Sequence, residues 1–426
     1  DDDSMFGKAS ALIVAVGTVA DDAPPQKGTS FQTWLFGYEL PDTLMVITAT
    51  NVVFVTSQKK GTILETAKLP GDAIPFEVLK RTKDENHNAD LFAKAVQAIA
   101  GSNDGKTIGV VAKDRFDGKF ITEWKSAIEK SGKKFDEVDI SGGIATLMAV
   151  KDEDELRSVR LAGKLCSIYM KDYFVPEMSD ILDEDRKVKH SKLSRDMEDA
   201  LLDGKSKKIK YPQEITPDLA DWAYPPIVQS GGKYDLRFSA ESNNETLEEG
   251  AIICLLGIRY KSYYANIGRT YLINPDKDQE KNYRFLLELQ KYVISNLKDG
   301  ITCKEAYGKA VAYIESKRPD LKDVFLKNCG FGIGVEFRDM HYTLSPKSNK
   351  VLKAGMTINV VIGFQGIQDE TNKKKKSYSL ILSDTVKING GNEAPQIFTD
   401  VSKDPNEAFM YLVSSWKDAQ VGSLDV

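Results

Sequence analysis

The sequence predicts a two-lobe molecule: an α/β lobe over residues 1–150, an α+β lobe over residues 151–402, and a tail over residues 403–426. Three observations predict it. Short apolar runs alternate with helical periodicities through the first third of the 426 residues. Beyond Val150 helices and strand-like runs segregate instead of alternating. Hydrophobic residues make up 41% of the chain, enough for buried cores and too many for a disordered polymer.

Ala11–Val16 is an apolar run that stops at Gly17, a strand. Thr43–Thr56 is rich in Leu, Val, Ile and Phe, with Asn51 at a hairpin turn. Asp90–Ala100 has helical spacing and ends at Gly101. Thr107–Val111 reads as a buried strand, Phe120–Lys130 as a helix stopped near Gly132, and Phe135–Ile140 as another strand. The acids of Lys151-Asp-Glu-Asp-Glu155 suit a helix start, where the macrodipole favours them. Val159, Ala162, Cys166, Tyr169 and Tyr173 then trace one apolar helix face. The spacing predicts a second helix from about Glu177 to Leu202, with Asp183–Lys187 as a charged face and His190 facing solvent. After a connection containing Lys205–Lys210, strands are predicted at Leu236–Ala240, Ala251–Tyr260 and Tyr263–Ile273. Helices follow at Gln279–Leu297 and Cys303–Ser316, then strands at Gly330–Phe337, Met356–Phe364 and Tyr378–Lys387. Residues after Asp400 read as a tail that docks on the surface.

Composition excludes several functions. Lys plus Arg number 58 and Asp plus Glu 63, a net charge of −5, so direct DNA binding is not expected. The basic runs Lys205–Lys210 and Lys373–Lys376 read as solvated loops. No apolar run reaches the ~18 residues that span a bilayer, and the start at Asp1-Asp2-Asp3-Ser4 reads as a piece of a longer chain. Four scattered cysteines without a CxxC argue against a disulfide framework or a zinc–thiolate site. Cys329–Gly334 has the glycines of a phosphate loop without its Lys-Ser/Thr. His341 follows Arg338-Asp339, yet no G-x-S-x-G elbow supplies a serine nucleophile.

One constellation is more specific. Leu256-Gly-Ile-Arg-Tyr-Lys-Ser-Tyr-Tyr-Ala-Asn-Ile-Gly-Arg-Thr270 resembles the central strands of the creatinase/aminopeptidase P, or pita-bread, fold, D-x-G-x-x-Y-x-x-Y-x-x-D-I-T-R-T. Gly257, Tyr260, Tyr263, Ile267, Arg269 and Thr270 match it, and the two metal-binding aspartates would fall at Leu255 and Asn266. Gly330–Glu336 is similar to G-H-G-x-G-L-E with Phe331 at the histidine ligand. Val361 stands at the glutamate of G-M-x-x-x-I-E-P-G, and Ser383 replaces the glutamate of I-E-D-T-V. Ser230-Gly-Gly232 matches too, with Ser239 at the substrate-binding histidine. Phe31–Leu40, Ser191–Leu193, Tyr224–Gly232 and Gly330–Arg338 narrow the resemblance to the N-terminal domains of the large FACT subunits.

The resemblance implies a nuclear, chromatin-associated histone chaperone module, with core histones as partners and a smaller FACT subunit bound through regions outside this chain. Two divalent cations need bridging carboxylates and an imidazole. Leu, Asn, Phe, Val and Ser at those five positions supply neither, so no cofactor and no catalysis are expected. Tyr260, Asn266, Glu336, Arg338 and Asp339 are the candidate residues of a cleft that holds an extended chain. The alternative is a docking scaffold for replication and transcription proteins, with a patch around Ser57, Lys59 and Lys60. A metal-dependent aminopeptidase with displaced ligands ranks below both.

Overall fold

The computed structural model describes residues 5–19, 26–67, 74–202, 209–369 and 377–412. The runs Asp1–Asp3 and Lys373–Lys376, residues 205–208 and the end of the tail lie outside the described residues. The chain divides into two compact units, Asp1–Met148 and Ala149–Val426.

The first unit is built on β1 (Ala11–Val16), α1 (Lys27–Phe36), β2 (Thr43–Thr48), β3 (Val52–Ser57), α2 (Gln58–Thr66) and β4 (Phe76–Arg81). It continues with α3 (Glu85–Ala100), β5 (Thr107–Val110), α4 (Lys119–Lys130), β6 (Asp136–Asp139) and α5 (Ser141–Ala149). The sheet order is β4-β3-β2-β1-β5-β6. The hairpin expected at Asn51 closes through the Thr48 N–H on the Asn51 carbonyl at 2.8 Å. Ser57 is not a bare strand end. Its hydroxyl accepts from the Lys60 N–H and caps α2, while the Lys60 ammonium donates to the Pro41 carbonyl. Lys60 is therefore tied down rather than offered.

The second unit begins with α6 (Glu153–Ile168), capped reciprocally by Asp152 and Glu155. Its apolar stripe continues through one widened π turn, Tyr169–Phe174, into α7 (Val175–Asp183). The widening falls just before Pro176, which has no N–H for a regular helical bond. The helix predicted over 177–202 is broken. α7 ends at Asp183, Asp185 takes a positive φ of 50°, and α8 (His190–Leu202) starts afresh. Glu184–Lys187 thus lies outside any helix, which the uninterrupted charge pattern hid.

The remaining elements are β7 (Ala220–Trp222), β8 (Ile227–Gln229), β9 (Gly250–Tyr260), β10 (Tyr263–Ile273), α9 (Lys277–Ser295), α10 (Cys303–Lys317) and β11 (Gly330–Gly332). They close with β12 (Thr357–Gln368), β13 (Ser377–Lys387), β14 (Gln396–Ile397), α11 (Pro405–Ala408) and β15 (Phe409–Met410). Leu236–Ala240 is irregular, and the strand expected over 330–337 is three residues long. Phe238 and Phe337 pack on a neighbouring core instead of extending a strand, and the ladder in the second segment stops at Gly332. The sheet order is β11-β12-β13-β10-β9-β7, with β8 on β9, β14 on β13 and β15 on β10. Side chains alternate between its faces. One face lies under α6, α9 and α10, where Leu165 and Cys166 meet Cys254 and Leu256, and Leu289 and Val293 join the cluster of Val360 and Leu382. The other face carries the candidate site.

Candidate functional site

Strand register assembles the five positions. Val361 pairs with Ser383, Ser383 with Gly268, and Gly268 with Leu255, one row across β12, β13, β10 and β9. Asn266 pairs with Gly257 and Phe331 with Asn359, two residues along on the same face. Five residues far apart in sequence thus converge, as the resemblance implies.

Their surroundings are apolar and full. Leu255, Phe331 and Val361 are 0%, 1% and 3% exposed and share a cluster with Ile227, Ile253 and Ile381. Gly268 has no room for a side chain: a Cβ there would stand 2.7 Å from Leu255 Cδ2 and 2.9 Å from Ser383 Cβ. Phe238 packs edge-on against Phe331 at 5.5 Å, and Phe337 joins both at 5.9 Å. Aromatic rings therefore roof the space above the strands.

The polar remainder is a hydrogen-bonded chain of neutral groups. The Tyr224 hydroxyl donates to Asn266 Oδ1, Asn266 Nδ2 to Ser383 Oγ at 3.0 Å, and Ser383 Oγ to Asn359 Oδ1 at 2.9 Å. The Asn266 backbone N–H donates to Thr385 Oγ1 at 2.9 Å, and that hydroxyl donates back to the Asn266 carbonyl. Thr385 thereby splices β10 to β13 where direct ladder pairing is sparse.

These residues do not fit a pair of divalent cations. The donors at the five positions are one amide and one hydroxyl, already engaged with each other. Among the described residues no group of three or more His, Cys, Asp or Glu is placed to hold a metal. A dication here would lose its hydration and gain no carboxylate.

The candidate cleft residues separate. Tyr260 is 1% exposed and lies in the cluster beneath α6, on the opposite face from Asn266, with its hydroxyl accepting from the Thr216 N–H. It is not a cleft residue, because its even position on β9 points it away. Asn266 is on the expected face but fully buried. Asp339 is 9% exposed and caps the short turn Met340–Tyr342 by accepting from the His341 N–H. Glu336 and Arg338 remain at the rim, the Arg338 guanidinium 5.2 Å over the Phe331 ring. Ser239 is exposed beside Phe238.

Sequence reasoning misplaced His190. It is 1% exposed at the start of α8. Its Nδ1 lies 2.7 Å from Asn243 Oδ1 and its Nε2 2.7 Å from Ser230 Oγ. Asn243 Oδ1 also accepts the Glu245 N–H, and Ser230 Oγ the Glu248 N–H. That pattern puts a proton on Nδ1, and in the neutral ring Nε2 accepts from the Ser230 hydroxyl. Burial pulls the imidazole below its ordinary pKa, against the Asn243 bond and the charges of Glu245 and Glu248. The signal available was Ser230 itself, in a segment already marked by the resemblance.

The other buried centre lies on the helix-covered side. Asp384 accepts from Arg269 at 2.8 Å, Lys403 at 2.6 Å, Thr399 at 2.7 Å and Gln290 at 3.0 Å. Burial alone would raise its carboxyl, and Arg269 and Lys403 outweigh that and hold it below the ordinary range. All four cysteines are free and buried.

Comparison with known proteins gives the family and the fold. Residues 1–143 match the model of the FACT complex subunit SPT16 N-terminal lobe domain, and residues 157–389 that of metallopeptidase family M24. A FACT complex subunit from Neurospora crassa is 40% identical over 98% of this chain, and the chain spans 41% of that relative. The N-terminal domain of FACT complex subunit SPT16 from Eremothecium gossypii superposes with a TM-score of 0.87 at 35% identity, covering 96% of each chain. An X-Pro aminopeptidase from Thermotoga maritima shares the fold, with a TM-score of 0.67 at 16% identity over 95% of this chain and 98% of that one. The chain belongs to the family of SPT16 N-terminal domains, built on the metallopeptidase M24 fold.

Proposed function

We propose that this chain is a non-catalytic, histone-binding module of a FACT-type chromatin factor acting in the nucleus. The observation that carries the reading is the packed apolar row of Leu255, Phe331 and Val361, set where an M24 peptidase would need charged ligands. The frame is kept and the donors are replaced, which suits a scaffold retained for binding. The relatives are named as FACT complex subunits, and histone binding comes to this chain through that kinship. The net charge of −5 favours basic partners. Since the floor of the old cleft is filled, binding is assigned to its rim, at Glu336 and Arg338, and to the outer surface. A smaller FACT subunit joins through regions beyond this chain. The scaffold reading is less favoured, because Ser57 and Lys60 are engaged internally.

Titration of the chain with core histone complexes at low and high salt tests this. We expect saturable binding that weakens steeply as salt rises. Absence of binding at low salt would sink the proposal.

A further inference from the structure

The first unit carries a groove of 850 Å³ between α3 and α4. The two helices run the same way: Glu85 at the start of α3 is ion-paired with Lys119 at the start of α4 at 2.5 Å, while Gln97 and Lys130 line the far end. The floor is Phe92 and Val96, which belong to the buried core of this unit. The walls include Ala89, Ala93 and Ala127, side chains small enough to admit another helix at an axis distance of about 8 Å.

Charge sets the polarity of an occupant. At the near end Glu85 is paired with Lys119 and Glu123 with Arg81. At the far end Lys130 and Lys133 are exposed, and neither has an ion pair among the described residues. Helices carry acids most favourably in their first turn. A helix lying antiparallel to α3 and α4 would bring its first turn to Lys130 and Lys133, with its dipole opposed to theirs. From Glu85 to Gln97 the groove runs about 18 Å, the length of a 12-residue helix.

We propose that this groove docks an amphipathic helix of a partner protein, about 12 residues long, acidic in its first turn and antiparallel to α3 and α4. An extended lysine-rich tail matches neither the shape nor the free charge, so the site is separate from histone binding and does not depend on it.

The test is selection from a displayed library of helical peptides against the full 426-residue chain, followed by binding of the selected peptides to variants. Ala93→Arg fills the groove from an exposed, helix-compatible position, and Thr122→Arg does so from the other wall. Melting curves confirm that each variant folds. We expect selected peptides with apolar residues at i, i+3 or i+4, and i+7, and acids in the first turn. Affinity should fall about tenfold or more with either arginine. Joint reversal of Lys130→Glu and Lys133→Glu should shift selection to basic first turns. Failure to select any peptide, or peptides indifferent to both arginines and to charge reversal, would overturn the proposal. Sedimentation is run in parallel. A self-associating chain made monomeric by Ala93→Arg would show the groove to be an interface between copies, and the partner-helix assignment would fall.

Discussion

At the scale of single residues, two buried groups contribute to how the stability of this protein responds to pH. Burial holds His190 neutral, against the opposing pull of its Asn243 bond and of Glu245 and Glu248. Its folded pKa is lowered, so the unfolded chain takes up the proton first as pH falls. Stability from this group is complete above the unfolded value and declines below about pH 6.5. We expect unfolding free energy measured by urea titration to fall over that interval. His190→Gln should flatten this limb, at a cost of about 1–3 kcal/mol at pH 8 from imperfectly satisfied Ser230 and Asn243 groups. An unchanged limb in the variant would count against the assignment. Asp384 has the same sign in a lower window. Its lowered carboxyl gives stability that is present above about pH 4 and lost as pH falls through the folded value. Asp384→Ala strands Arg269, itself 1% exposed, and should cost about 3–5 kcal/mol in denaturant titrations at neutral pH. Arg269 and Asp384 both stand in motif segments of the sequence, but their pairing was not legible there. The two lie 115 positions apart, and pairing across β10 and β13 is a product of register that no local pattern encodes.

At the scale of elements, the closing segment behaves as part of the second unit's core. Phe409 on β15 pairs with Leu272 in parallel and packs edge-on against Tyr283 at 5.2 Å, while the Met410 carbonyl accepts the Asn274 N–H at 2.8 Å. Phe409→Ala should cost about 3–5 kcal/mol. It should also speed hydrogen exchange at the Asn274 amide relative to the middle of β10. Exchange that is uniform along β10 would show that β15 does not protect that end. The sequence reads residues after Asp400 as a docking tail, and the described part of it does dock, to residue 412. Long elements such as β9, β10, α9 and α10 were legible, the strands as extended, largely apolar runs and the helices through a sustained helical period. The break between α7 and α8 and the irregular path through Leu236–Ala240 were not. At Asp185 a non-glycine residue takes a positive φ without a glycine or proline to announce it, and Phe238 is apolar because it roofs Phe331, not because it lies in a strand.

At the scale of the whole molecule, the second unit keeps the architecture that concentrates five side chains on one sheet face and uses it to build a core. The motif spacing names five positions, and strand register sets them on one sheet face. The spacing did not reveal that Gly268 would be roofed by Leu255, because that contact depends on a rotamer and a neighbouring strand. If the apolar row is the stable use of this face, metal should have nothing to stabilise. A ligand that binds only the folded state raises stability by about 2.7 kcal/mol when present at about a hundred times its Kd. Millimolar manganese, cobalt or zinc should therefore leave the thermal midpoint of the chain unchanged, whereas an M24 enzyme with micromolar sites would shift clearly upward under the same conditions. Installing a single acid should make matters worse. Leu255→Asp places an unpaired carboxylate among Ile253, Ile227 and Phe331, so it should lower the midpoint, and added metal should not restore it. A metal-dependent rise in the unmodified chain would mean that the wall opens to admit ions, and the reading of this face as a closed core would fail.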